Sequence, residues 1–360
     1  MVKVLRPECR CFPGAVSGNR NVCPALKDYE GNVLHGTFLN LGGNTKAFVP
    51  FGGEGLFCIQ RPVLQAVKQT LKTKKEGAHM LPMDCHTHTG ISPDGTGTVA
   101  GHVAQAKKLG LPVLGLTEHV EMNRYFPQAY YNIQPRNEWE IFDHATVLEQ
   151  SLRAVSEAKA QAAADGLTLL CGMEMGQPNA DFALSESVGR DARLDFIIAS
   201  LHELLDKPDF FCLDYAAEDI PALMEQYFEQ LYTICCWGHF DVLGHLTYPL
   251  RYIEGEAGIS VPLSPYAEQI RCCFQALAER GKCIELNTSG YRQKYGKPFP
   301  TLEYLKLYRE MGGEVLTFGS DAHCAEDLAK GIAQGVELAK AAGFTRACYF
   351  IKREPVFISL

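Results

Sequence analysis

The sequence lacks a long hydrophobic run. No stretch of its 360 residues approaches the roughly 20 consecutive apolar residues that a membrane-spanning helix needs. The first residues, MVKVLRPECRC, also lack the apolar core of a secretory signal peptide, because charged side chains interrupt them. We therefore expect a cytoplasmic protein with no membrane partner.

Basic side chains are scarce over most of the chain. Residues 1–82 carry 11 Lys and Arg against 5 Asp and Glu, which leaves a net charge of −14 for the remainder of a chain with a total of −8. Because nucleic-acid backbones are bound by basic surfaces, this acidic body predicts no nucleic-acid partner. The basic residues in the stretch 68–75 could dock on an acidic surface, but a solvated helix face is the favoured interpretation.

Cysteine pairs with the spacing of a disulfide scaffold are also missing. The 14 cysteines are scattered, and many lie in apolar runs of a chain long enough to bury a large core. These are Cys171, Cys235, Cys236, Cys272, Cys273 and Cys283. We predict reduced, buried thiols. A zinc site is the disfavoured alternative, because its candidate ligands fit no standard finger; these are Cys9, Cys11, Cys23 and Cys58.

Strand and helix patterns alternate from residue 83 onward. Apolar runs end at Cys85, Thr117, Met175, Leu201, Gly244, Leu286 and Phe318. Helical patterns lie over 98–110, 142–166, 220–237, 266–281, 301–313 and 328–343, and several end in the Gly that a left-handed C-cap favours. This alternation predicts an α/β barrel of seven or eight parallel strands over residues 83–360. Residues 1–82 form a small N-terminal extension of unknown role.

Side chains of the metal-ligand type follow these apolar runs. They are His86, His88, His119, Glu174, His202, His245, Asp321 and His323. Each alone is more often a structural residue, but a parallel barrel brings the carboxyl ends of its strands to one face. The i, i+2 spacing of His86 and His88 sends both imidazoles to one side of a strand. Together these residues predict a multinuclear catalytic site, and imidazole with carboxylate suits Zn, Mn or Fe.

Seven segments in a fixed order carry a family resemblance. They are HTHTGISPDG, GLTEHVEM, GMEMG, ASLHEL, VLGHLTYPLRY, IELNTSG and GSDAH. Over about residues 83–350 the chain resembles the polymerase and histidinol phosphatase (PHP) superfamily, most of all its monofunctional histidinol-phosphatase branch. The resemblance implies a distorted (βα)7 TIM-like barrel with a trinuclear metal site at the carboxyl ends of the strands.

The resemblance also implies which residues hold each metal. The first metal would be held by His86, His88, Glu174 and Asp321. The second would be held by Asp94, His119 and His323. Glu174 would bridge to a third metal, completed by His202 and His245. Asp94 enters on the resemblance alone, and its alternative role is that of a turn residue in SPDG.

The remaining histidines fit this arrangement less well. His239 competes with His245, but it precedes its apolar run and so is expected at the opposite end of the barrel. His35, His79, His102 and His144 lie away from the carboxyl-end pattern and are interpreted as surface or packing residues.

The substrate implied by the resemblance is L-histidinol phosphate, hydrolysed to L-histidinol and phosphate in histidine biosynthesis. Two or three divalent cations would activate water, so no protein nucleophile is required. Arg251 and Tyr252 are the candidate substrate-binding residues, since the resemblance places an Arg-Tyr pair here and a guanidinium matches phosphate oxygens. Thr247 departs from the family, in which Asp is common at this position.

The alternatives are a related enzyme for another small phosphate, such as a nucleotide or sugar phosphate, and a non-catalytic scaffold. The sequence leaves the oligomeric state open.

Overall fold

A computed structural model describes residues 81–122 and 144–360, together with the backbone of four short strands that precede them. These strands are β1 Leu26–Lys27, β2 Val33–Leu34, β3 Gly36–Asn40 and β4 Lys46–Pro50. Strand β1 pairs antiparallel with β2, and β3 pairs antiparallel with β4. The chain divides into two compact units, Met1–His79 and Met80–Leu360. An N-terminal extension over 1–82 stays a prediction, because most of it lies outside the described residues.

A six-stranded parallel sheet forms the centre of the second unit. Its strands are β5 Val113–Glu121, β6 Thr168–Gly176, β7 Phe196–Ser200, β8 Val242–Leu243, β9 Cys283–Asn287 and β10 Leu316–Gly319. Each strand pairs with the next one in the chain, so the order from β5 to β10 follows the sequence. Nearly every strand residue is buried, as expected of a parallel sheet covered on both faces.

The segment 84–88 connects the two edges of this sheet. On one side Asp84 forms a parallel bridge with Leu114 of β5, and on the other Thr87 forms one with Ala322, just after β10. The His86 carbonyl also accepts a hydrogen bond of 2.8 Å from the Asp321 backbone N–H. This segment, with isolated bridges instead of regular pairing, serves as the seventh strand. The predicted distorted (βα)7 TIM-like barrel is therefore confirmed.

Helices connect the strands. They are α1 Val99–Leu109, α2 His144–Ala164, α3 Phe182–Gly189, α4 Ile220–Trp237, α5 Ala267–Glu279, α6 Leu302–Glu310 and α7 Ile332–Ala341. The six helical patterns of the sequence are all confirmed. Local signals set their ends: Thr98 caps the first turn of α1, and Gly110 ends it in the left-handed region at φ 68°.

The sequence analysis did not predict three elements, one helix and the two strands of a hairpin. Helix α3 is only eight residues long, too short for a clear helical period. The C-terminal strands β11 Arg346–Ile351 and β12 Glu354–Ser359 form an antiparallel hairpin, with β11 against β10. The alternation of strands and helices ends before this hairpin, so the pattern that predicted the barrel did not extend to it.

All ten cysteines of the described residues are free thiols. Six are buried: Cys85, Cys171, Cys235, Cys273, Cys283 and Cys348. The prediction of reduced thiols is confirmed, although Cys236 and Cys272 are only half-buried. The four candidate zinc cysteines, Cys9, Cys11, Cys23 and Cys58, lie outside the described residues. Among the helices that the structure describes, none has the length and apolar character to cross a membrane.

The ring of Phe196 fills the barrel below the predicted metal site. A Cβ added to Gly172 would lie 2.6 Å from this ring, and one added to Gly115 would lie 2.8 Å from it. Phe196 and Ser200 share one face of β7 because side chains alternate along a strand. The two glycines thus leave the space that the aromatic ring occupies.

We expect Gly172→Ala to lower the free energy of unfolding by about 1–3 kcal/mol, because the added methyl group overpacks the barrel against Phe196. Urea unfolding followed by circular dichroism measures the change. Gly101→Ala is the matched control, since Gly101 is exposed on α1 and there Ala is favoured by roughly 0.5–1 kcal/mol. Equal unfolding midpoints for the two variants would contradict this account of the packing.

Candidate metal centre

The structure brings all nine predicted ligand residues into one cluster at the carboxyl ends of the strands. They are His86, His88, Asp94, His119, Glu174, His202, His245, Asp321 and His323. Strand register explains part of this meeting, since His119 of β5 is the direct Cα partner of Glu174 of β6. Most of these side chains are buried, and His86, His88 and Glu174 are fully so.

The Glu174 carboxylate lies at the centre of the cluster, and its two oxygens face different imidazoles. Oε1 lies 3.1 Å from His202 Nε2 and 2.8 Å from His245 Nε2. Oε2 lies 3.2 Å from His86 Nε2 and 2.9 Å from His119 Nδ1. Burial alone would raise the pKa of Glu174, but the surrounding imidazoles hold it well below its usual value. An ionised carboxylate with partners on both oxygens has the geometry to bridge two cations.

A second group of ligands surrounds Asp94. Its Oδ2 lies 3.3 Å from His119 Nε2 and 3.1 Å from His323 Nε2. The His88 ring stacks on those of His119 and His323, with centroid separations of 4.2 and 4.3 Å. Asp94 therefore faces the cluster, which a solvent-facing turn residue would not do.

Asp321 completes the group near His86 and His88. Its Oδ1 lies 3.6 Å from His88 Nε2 and 3.9 Å from His86 Nε2. The backbone of Asp321 has a φ of 54°, in the left-handed region that is uncommon for residues other than Gly. Strain of this kind is concentrated at functional sites, where the surrounding structure maintains it.

The donor atoms of the cluster fit metal ions. Several of its buried atoms make no hydrogen bond within the described residues: His86 Nε2, His88 Nε2, Asp94 Oδ1, His119 Nδ1 and Glu174 Oε2. Buried polar atoms are nearly always satisfied, so a set of unsatisfied ones that converge indicates a ligand. Burial and the neighbouring imidazoles also lower the pKa of His88 to about 3, which leaves its ring neutral, as metal coordination requires.

Two carboxylates that the sequence analysis missed orient these imidazoles. Glu285 of β9 lies 2.7 Å from His86 Nδ1, and it also accepts a hydrogen bond of 2.8 Å from the His245 backbone N–H. Glu121 lies 3.3 Å from His202 Nδ1. Metal-binding histidines usually direct their second nitrogen to such a group. A charged residue inside the apolar run CIELN was the available signal for Glu285.

A third missed carboxylate, that of Glu118, holds the loop that carries Asp94. It is buried and accepts hydrogen bonds from the backbone N–H groups of Thr89 and Ser92, at 3.1 and 3.0 Å. The Ser92 hydroxyl donates to it as well, at 2.5 Å. The segment TEH thus contributes one residue to the cluster and one to the support of a neighbouring loop.

Arg251 lies at the edge of the cluster, at the start of the π-helical turn Arg251–Glu256. Its Nη2 donates hydrogen bonds of 2.8 Å to Asp321 Oδ2 and to Ser289 Oγ. Its Nε is buried and makes no hydrogen bond to any described residue. The Tyr252 hydroxyl lies 3.0 Å from that of Tyr248, whose ring packs on His202 and His245. The Arg251 side chain is therefore largely buried and directed at the cluster, not at solvent.

The other histidines contact different parts of the chain. His239 lies 3.8 Å from Glu186 and packs on Trp237, whereas His245 lies inside the cluster. His102 is buried in α1, with Nδ1 3.1 Å from the Thr98 carbonyl, as a packing residue would be. The side chains of His35, His79 and His144 lie outside the described residues.

Comparison with known families decides the family of the chain. Residues 84–289, more than half of the sequence, match the model of the PHP domain. The chain belongs to the PHP domain family. Among the relatives of this PHP protein, a histidinol-phosphatase of Bacillus subtilis is 27% identical over 273 residues, which cover 69% of this chain and 96% of the relative. A probable histidinol-phosphatase of Thermotoga maritima is 25% identical over 252 residues, 69% of this chain and 88% of the relative.

A solved structure shares the fold of this PHP protein. It is the histidinol phosphate phosphatase of Lactococcus lactis subsp. lactis, complexed with zinc, L-histidinol and phosphate. The TM-score is 0.64 at 23% identity, and the likeness covers 77% of this chain and 99% of the other. This likeness supports the barrel described above.

We expect Glu285→Gln to weaken metal binding by about 10- to 100-fold, because a neutral amide replaces the carboxylate that orients the His86 ring. Competition with a chromogenic chelator measures the affinity. Glu310→Gln is the matched control, since Glu310 is exposed on α6 away from the site. If the two variants hold metal equally well, Glu285 does not support the centre.

Proposed function

We propose that this PHP protein is a metal-dependent phosphomonoesterase that hydrolyses L-histidinol phosphate to L-histidinol and phosphate, a step of histidine biosynthesis. The observation that carries the proposal is the central position of Glu174 among converging imidazoles and carboxylates, several of whose buried atoms make no hydrogen bond to a described residue. The substrate rests on the relatives, which are named for this activity. The Lactococcus lactis protein of the same fold contains the two products of the reaction.

The nine clustered residues would hold two or three divalent cations, with Zn, Mn and Fe as candidates for an imidazole and carboxylate set. Such cations lower the pKa of coordinated water and neutralise charge on phosphate oxygens. The chain itself supplies orientation. Glu285 and Glu121 hold the rings of His86 and His202, so that their Nε2 atoms point into the centre. Residue positions are thereby set before substrate arrives, which is the main contribution of a preorganised site.

Arg251 is the proposed phosphate-binding residue. Its guanidinium is anchored on Asp321 and Ser289 through one nitrogen, which leaves Nε as a buried donor close to the metal ligands. A planar guanidinium donates two parallel hydrogen bonds to a phosphate, and Lys does not reproduce this geometry. The Tyr248 and Tyr252 hydroxyl pair lies beside it and gives the site an aromatic wall for the organic part of the substrate.

A carboxylate near this wall favours a cationic substrate over sugar phosphates or nucleotides. Asp209 Oδ1 lies 3.4 Å from the Tyr248 hydroxyl and accepts a hydrogen bond of 2.7 Å from the Phe211 backbone N–H. L-Histidinol carries an amine, and a carboxylate is its natural partner. Phosphoesterase activity on another small phosphate is the second candidate, because relatives also include proteins named only as probable phosphatases. The cytoplasmic location and the lack of nucleic-acid and membrane partners stay predictions. The oligomeric state stays open.

Phosphate release from a substrate panel tests the proposal. We expect L-histidinol phosphate to be hydrolysed with a higher kcat/KM than nucleotides, sugar phosphates or p-nitrophenyl phosphate, in a reaction that a chelator abolishes. Elemental analysis should find more than one metal per chain.

Glu174→Gln should lower kcat by orders of magnitude and reduce the metal content, because the Glu174 carboxylate contacts both halves of the cluster. Glu310→Gln should do neither. Preference for another phosphate would move the protein to the second candidate, and metal-loaded protein without any release would exclude both.

We expect Arg251→Ala to raise KM for the phosphate substrate at least tenfold while the metal content is retained, because the side chain contacts phosphate and not metal. Steady-state kinetics and elemental analysis on the same sample separate the two effects. Arg271→Ala, which removes an exposed guanidinium on α5, is the matched control. A fall in metal content without a change in KM would place Arg251 in the support of Asp321 instead.

A further inference from the structure

A second cavity lies at the amino ends of the barrel strands, away from the metal ligands. It has a volume of about 430 Å³, within the range of small-molecule sites. Its walls come from the chain before β7, β8 and β9 and from the turn between β11 and β12. The lining residues that carry charge or hydrogen-bonding groups are Glu186, Arg190, Trp237, His239, Arg280, Lys282 and Arg353. Four permanent cations against one carboxylate make this the basic end of an otherwise acidic barrel.

Two of these cations already have carboxylate partners. Arg190 Nη2 donates to Glu186 Oε2 at 2.8 Å, an i, i+4 pair at the end of α3. Arg353 Nε donates to Asp241 Oδ2 at 2.5 Å, and Arg353 Nη1 donates to the Gly189 carbonyl at 3.0 Å. Glu186 and Asp241 are thereby paired with Arg190 and Arg353.

Arg280 and Lys282 have no carboxylate within 4.0 Å among the described residues. The Arg280 side chain crosses Gly238, where an added Cβ would lie 2.7 Å from its Cδ. One of its nitrogens donates to the Ala276 carbonyl at 3.2 Å, so it also caps the last turn of α5. This hydrogen bond uses Nη1 of Arg280. The other N–H groups of the guanidinium have no acceptor among the described residues.

Lys282 has no capping contact. Its side chain makes no hydrogen bond to any described residue, although it is partly buried. Burial lowers the pKa of Lys282. The carboxylate of Asp241 raises this pKa, and the positive charge of Arg353 lowers it further. Arg280 and Lys282 line the same cavity, and cations of one cavity repel each other unless an anion lies between them.

We propose that this cavity binds a small molecule through a dianionic phosphoryl group, held between Arg280 and Lys282. The two unpaired charges match a dianion, and the guanidinium of Arg280 matches its tetrahedral oxygens. His239, which is exposed at the rim, supplies a further donor. Both inorganic phosphate and an organic phosphate carry this group. The site is separate from the metal centre, and the proposal does not depend on the activity proposed above.

Tryptophan fluorescence gives a readout restricted to this cavity. The chain has two tryptophans, and Trp237 lines the cavity wall. In a full-length Trp139→Phe background, Trp237 is the only tryptophan. We expect its emission to change and saturate when inorganic phosphate or benzylphosphonate, whose P–C bond is not hydrolysed, is added at constant ionic strength. Tighter binding of benzylphosphonate identifies an organic phosphate as the ligand, and tighter binding of inorganic phosphate identifies the free ion.

Charge variants in the same background complete the test. Lys282→Gln and Arg280→Gln should each raise the half-saturating concentration at least tenfold, with the unfolding temperature as a check that the fold is kept. Lys306→Gln, which removes an exposed charge on α6, should leave the half-saturating concentration unchanged. The proposal is overturned if neither anion gives a saturating signal, or if both cavity variants bind as tightly as Lys306→Gln. The latter result would mean that Trp237 senses phosphate bound elsewhere.

Discussion

The buried carboxylate of Glu174 is the constraint on which the arrangement of the metal centre depends. A buried, ionised carboxylate is costly unless opposite charges or hydrogen-bond donors surround it. Here His86, His119, His202 and His245 converge on its two oxygens from four different parts of the barrel. Further carboxylates hold three of these rings: Glu285 that of His86, Glu121 that of His202 and Asp94 that of His119. The result is a network in which a change at one member alters the position of several others.

The barrel supplies the geometry that this network requires. Parallel strands deliver their carboxyl ends to one face, and the candidate ligands lie at these strand ends or in the segments that follow them. The segment 84–88 has an additional role, because it joins the two edges of the sheet and presents two ligands at once. Closure of the barrel and formation of the centre are therefore coupled. The backbone hydrogen bond from the Asp321 N–H to the His86 carbonyl joins the segment after β10 to the segment 84–88.

The two ends of the barrel carry opposite kinds of charge. Carboxylates and imidazoles gather at the carboxyl end, where cations are expected, whereas unpaired cations gather at the amino end between α3, α4 and α5. Strand direction separates the two, as the positions of His239 before β8 and His245 after it illustrate. None of the nine clustered residues lines the cavity at the amino end.

What the sequence determined by itself was most of the elements and the candidate ligands. Apolar runs, helical periods and caps are local signals, so the alternation and the helix ends could be predicted, and ligand residues that follow strands could be placed at one edge. Glu285, Glu121 and Glu118 could not be assigned in this way, because their partners lie far away in sequence and a lone carboxylate has no periodic signature. The hairpin and the basic cavity required the tertiary structure for the same reason. Arg280 and Lys282 lie in the connection between α5 and β9, and Arg353 lies in the turn between β11 and β12. Only folding brings these two connections to one wall.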